Sequence, residues 1–157
     1  MPTTTEASFS TTEDESQSTS SVSGQLLDSF KSSKEYRHAF IEEKVRTWVA
    51  AQIRAIRQQR HLRRPEFAKL LGKAPSWVFR LEDPNEAPPT ISTLLQVAEA
   101  FDVDLDVRFV PFTDFLRTVD TQTPESFEVP SFDEELRALA DRSELEREAL
   151  TSGRLRS

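Results

Sequence analysis

Cysteine is absent from this 157-residue chain, which excludes disulfides and any Cys-based zinc site and suits a reducing compartment. Glycine occurs only three times, too rarely for a glycine-rich phosphate loop. The two histidines, His38 and His61, have no Ser or Asp set beside them in nucleophile spacing. The acids fall in the tails or alternate with apolar residues, a solvated pattern rather than a metal cluster. An enzyme is therefore not expected, nor any catalytic residue, metal or cofactor. No run approaches the ~20 apolar residues of a membrane span. The N-terminus has no basic start followed by an apolar stretch, so it does not read as a signal peptide. The expectation is a cytoplasmic protein with no membrane partner.

Net charge is −7, but the average conceals a reversal. Between Lys44 and Arg80 stand ten Lys and Arg against a single acid, Glu66, a local excess of +9 that leaves −16 for the rest. A cationic segment inside an acidic chain is the electrostatic footprint of a polyanion-binding element.

Three domains are expected. In residues 1–33 sixteen positions are Ser or Thr, and beyond Met1 the large apolar residues are Phe9, Val22, Leu26, Leu27 and Phe30. So little apolar surface cannot offset the conformational entropy of folding, and the segment reads as disordered. A folded domain is expected over 34–112. From Tyr36 to Arg60 the apolar residues Phe40, Ile41, Val45, Trp48, Val49, Ile53 and Ile56 recur at helical steps, in one long helix or two. Thr90 is placed to cap a later helix whose face is Ile91, Leu94, Leu95, Ala98 and Phe101. Val103, Leu105, Val107 and Phe109 then alternate with Asp104, Asp106 and Arg108, the period of a β-strand over 103–110. Residues 113–157 read as an acidic, largely disordered tail with a helix at 132–150, opened by the capping-box pair Ser131 and Glu134.

The centre of the chain is the most informative part. Phe67, Ala68 and Leu71 define an amphipathic run that stops at Gly72, a residue suited to a left-handed helix end. Val78 and Leu81 begin a second run at once. Two short helices joined this tightly must cross steeply, the arrangement that lets a second helix enter a DNA major groove.

Ile53-Arg54, Arg57, Leu62, Glu66-Phe67-Ala68, Leu71-Gly72, Val78 and Leu81-Glu82 resemble the phage-repressor-like (XRE/Cro) helix-turn-helix family. The string TISTLLQVAEAFDVDL resembles its fourth helix, so the likeness runs from Gln52 to Leu105. It implies a mainly α fold, a compact helical bundle, here with a long N-terminal helix and one C-terminal strand. It also implies that Pro75, Ser76, Phe79 and Arg80 face the groove, with Ser76, Phe79 and Arg80 reading bases. Arg80 suits guanine O6 and N7, and Phe79 suits a thymine methyl. Arg64, Lys73 and Trp77 are the expected phosphate contacts.

The chain departs from the family pattern at several places. His61 stands where glycine is usual, Arg64 and Pro75 where glutamine is frequent, and Trp77 where a small polar residue is common. Arg63 and Ala74 replace the usual Thr and Ser caps. The expected function is a sequence-specific transcriptional regulator of double-stranded DNA, a repressor or the antitoxin of a toxin–antitoxin pair. The alternative is a protein-interaction module whose helix-turn-helix no longer reads bases. A strand with no partner in its own chain points to a homodimer.

Overall fold

The computed structural model describes residues 22–154, with side chains to Thr151. Seven α-helices and one 3-10 turn follow in order: α1 Val22–Ser32, α2 Lys34–Gln59, α3 Arg64–Leu70, α4 Pro75–Leu81, α5 Ile91–Phe101, α6 Phe112–Thr121, the 3-10 turn Pro124–Phe127, and α7 Phe132–Arg154. Helix α2 is continuous; Ser33 caps it by accepting a 3.1 Å hydrogen bond from the Tyr36 backbone N–H.

Two cores share α2 as a spine. Its C-terminal half gives Ile53 and Ile56 to a cluster with Phe67, Ala68, Val78, Leu81, Val97 and Phe101. Phe67 and Phe101 stack there with centroids 4.5 Å apart. The N-terminal half gives Phe40, Ile41 and Trp48 to a second cluster around Phe30 of α1 and Phe115 and Leu116 of α6. Edge-on ring contacts hold this annex, with Phe30 and Phe40 centroids 5.5 Å apart, a geometry favoured by the aromatic quadrupole.

Three left-handed residues close the turns. His61 and Asp102 both have φ of 54°, and Gly72 has φ of 64°. In each case the next N–H reaches back five residues: Leu62 to the Arg57 carbonyl, Lys73 to Ala68 and Val103 to Ala98, at 2.8–3.0 Å. These bonds satisfy carbonyls that a helix end would otherwise orphan.

Several expectations are corrected. Residues 22–32 of the supposed disordered tail form α1, because Leu26 and Phe30 find a partner face on α6 roughly ninety residues away, and Ser33 caps α2. Residues 1–21 of that expected tail lie outside the described residues. The expected boundary at 112/113 falls at the start of α6, which folds back onto α1. The strand over 103–110 is not formed, and there is no strand among the described residues. This segment links α5 to α6 and pairs in no ladder among the described residues. Helix α7 begins with the reciprocal Ser131–Glu134 pair, and the Phe132 N–H bonds to the Asp102 carbonyl at 2.9 Å. Beyond that anchor almost all of its described side chains are exposed.

Candidate nucleic-acid interface

Helices α3 and α4 each have seven residues and pack through Phe67, Ala68, Val78 and Leu81. Burying Val78 and Leu81 turns the opposite side of α4 outward. Ser76, Phe79 and Arg80 are exposed there, at i, i+3 and i+4 on one face, and Phe79 is 58% exposed. Pro75 occupies the first helical position, where its fixed φ favours helix and its missing N–H costs nothing. That offsets the lack of a side-chain cap at Ala74. Trp77 is half-buried against the core, and the Lys73 ammonium lies 5.6 Å from its ring centroid.

Arg64 is placed differently from a free phosphate ligand. Its Nε donates to Glu82 Oε2 at 2.9 Å, and its guanidinium lies 5.4 Å from the Phe79 ring centroid. Glu82 also receives Arg57, whose Nη2 donates to Oε2 at 3.1 Å and whose Nε donates to Oε1. The Glu82 carboxylate is only 2% exposed, so two guanidiniums neutralise a buried charge that could not stand alone. This hub joins α2, α3 and the end of α4, and it fixes the attitude of the outward-facing helix. The sequence match included Glu82 but gave no sign of its role; the buried position flanked by two arginines appears only in three dimensions.

Other cations of the +9 segment are also paired internally. Arg60 meets Glu134 at 3.1 Å, Arg63 meets Glu66, and Arg46 meets Glu42. Glu66 also accepts the Arg63 backbone N–H at 2.7 Å, half of a capping box that replaces the missing Thr cap. The Arg63 guanidinium, and then its backbone N–H, hold the Glu66 carboxyl below the usual carboxylate range. By contrast Lys69, Lys73 and Arg80 are exposed and form no ion pair among the described residues. Lys69, exposed at the end of α3 beside the turn, is absent from the expected phosphate contacts.

Behind α4, Trp77 and Arg80 border a cleft of about 330 Å³ together with Glu86, Pro88 and Thr90. Thr90 caps α5 by accepting from the Thr93 N–H at 3.2 Å. No group of His, Asp or Glu among the described residues is arranged to hold a metal ion. No described helix is long and apolar enough to cross a membrane.

The helix-turn-helix family model matches residues 53–107, about a third of the chain. No curated protein and no solved structure matches it. The short α3–α4 pair, the outward face of α4 and the family match agree: residues 53–107 carry a helix-turn-helix similar to that of the XRE/Cro-type family.

Proposed function

We propose that the protein is a sequence-specific repressor that acts in the cytoplasm by laying α4 in the major groove of double-stranded DNA. The observation that carries this reading is the face formed by Ser76, Phe79 and Arg80, flanked by the unpaired cations Lys69 and Lys73. Arg80 donates bidentately to guanine O6 and N7, Phe79 meets a thymine methyl, and Ser76 bonds a base or a phosphate. Lys73 and the Trp77 indole N–H take phosphates. Arg64 offers a phosphate the donors that Glu82 leaves free, so it positions the helix twice over. Two copies acting together place two recognition helices about 34–36 Å apart, so the preferred site is an inverted repeat.

The test is binding of the purified protein to a library of genomic duplexes at rising salt. Each phosphate contact contributes roughly one unit of slope in log affinity against log salt. Affinity that falls steeply with salt and concentrates on an inverted repeat supports the repressor. No binding at low salt leaves the alternative, a protein-interaction module.

A second reading has its own observation. Helix α7 exposes Leu136, Leu139, Leu145 and Leu150 along an otherwise charged surface, which suits a protein partner. In that case the protein is the antitoxin of a pair. A neighbouring gene whose product arrests growth alone and is neutralised by co-expression of this chain distinguishes antitoxin from simple repressor.

A further inference from the structure

Helix α7 leaves the fold almost at once. The Phe132 N–H bonds to the Asp102 carbonyl and Glu134 meets Arg60, but beyond these anchors nearly every described side chain of the helix is exposed. A helix in water draws most of its stability from packing an apolar face rather than from propensity. Such a face is present and uncovered. At helical spacing Phe132, Leu136 and Leu139 fall within about 60° of arc, followed on the same line by Ser143. The three apolar residues are 58%, 47% and 57% exposed. Glu146 then interrupts the line before Leu150.

We infer that a second copy of α7 covers this face, the two helices lying antiparallel with Leu136 opposite the partner's Leu139. The inference rests on the two-copy reading above and places the contact outside the helix-turn-helix. Charges beside the apolar line select both the direction and the occupant. Glu135 and Arg142 border one edge of it; Asp133, Ala140 and Arg147 border the other. In a parallel pair opposite edges meet, which sets Arg142 against the partner's Arg147 twice and stacks Glu146 on the partner's Glu146. In an antiparallel two-fold pair like edges meet. Leu136 opposite the partner's Leu139 then brings Glu135 beside the partner's Arg142, again twice, and leaves Glu146 outside the seam. Sliding one helix by a heptad toward greater overlap loses this, because Leu136 meets the partner's Glu146 and Arg142 meets the partner's Arg142. The helix thus carries both halves of each ion pair and the leucines between them, so it complements itself about a two-fold axis.

The anchors give the pairing a consequence. Arg60 and Asp102 are the C-caps of α2 and α5, so α7 departs from two helices of the domain core. Two copies joined through α7 therefore hold their helix-turn-helix units in a two-fold relation before any DNA is bound.

The test uses the full-length chain without DNA. Light scattering should show a dimer at micromolar concentration, and the far-UV helical signal should rise with concentration over the same range as pairing supports α7. Glu135→Arg and Arg142→Glu should each raise the dimer dissociation constant roughly tenfold, because two symmetry-related pairs become repulsive. The double exchange E135R/R142E should restore it. The chain has no cysteine of its own, so engineered pairs report direction cleanly. L136C/L139C should oxidise to a covalent dimer at least about tenfold faster than L136C alone, since only a parallel pair sets position 136 against itself within disulfide range. A wild-type monomer overturns the pairing and the two-copy reading together. A stable dimer that both charge reversals leave unchanged overturns the pairing through α7 alone. Rapid crosslinking by L136C overturns the antiparallel direction. A monomer that instead forms a stoichiometric complex with the product of a neighbouring gene, weakened by Leu136→Lys, assigns the face to a different protein and overturns the inference.

Discussion

Arg80 and Lys73 are both exposed cations without an ion-pair partner among the described residues, yet they are expected to behave differently when removed. Arg80→Ala should cost about 1–3 kcal/mol on the preferred site and relax discrimination at one base pair, since a bidentate guanine contact is worth that much. Site selection that returns an unchanged consensus would remove Arg80 from the base-reading set. Lys73→Ala should weaken binding to every sequence alike and lower the salt slope by about one. Glu82 belongs to another class. Its carboxylate is buried between Arg57 and Arg64, so Glu82→Gln leaves two guanidiniums without their counter-charge. A loss of roughly 3–5 kcal/mol of stability is expected, read from chemical denaturation. A variant as stable as the wild type would show that the hub does not hold the helices together.

At the scale of elements, helix starts differ in how they are secured. Ser33 and Thr90 cap α2 and α5 by accepting backbone N–H bonds, whereas α3 and α7 rely on carboxylates, Glu66 and Glu134. Both carboxyls titrate below the ordinary value of 4.5, Glu66 chiefly through the Arg63 guanidinium and Glu134 chiefly through the Ser131 backbone N–H. A depressed carboxylate stabilises the fold fully above its unfolded value and ceases to as pH falls through the lowered folded one. Protection of the Arg63 and Ser131 amides, measured against their intrinsic exchange rate at each pH, should accordingly hold down to about pH 4.5 and fall only below it. Protection already lost at pH 6 would point to some other group.

The described residues form a helix-turn-helix domain joined through α2 to an annex of α1 and α6, with α7 following. Phe30 is 3% exposed at the centre of that annex. Phe30→Ala should remove about 3–5 kcal/mol, the usual cost of emptying a buried phenylalanine site. A chain beginning at Lys34 should melt several degrees lower than the full one, since it uncovers Phe115 and Leu116. An unchanged melting temperature in either case would mean that α1 is not docked in solution.

Local chemistry made much of the centre legible in the sequence. Apolar spacing located α2 through α5, Gly72 and His61 marked left-handed ends, and Thr90 marked a cap, because each depends on residues within one or two helical turns. The outward placement of Ser76, Phe79 and Arg80 followed from burial of Val78 and Leu81 at the same spacing. Tertiary structure alone decided what depends on distant partners. Residues 22–32 are helical because α6 covers Leu26 and Phe30, and no local count of serines reveals that cover. The alternation of residues 103–110 has the period of a strand, but a ladder needs a neighbour, and none pairs with this segment among the described residues. Nor could composition show that Arg57, Arg60 and Arg64 spend their charge on acids of the same molecule, because those pairings arise only when the helices pack.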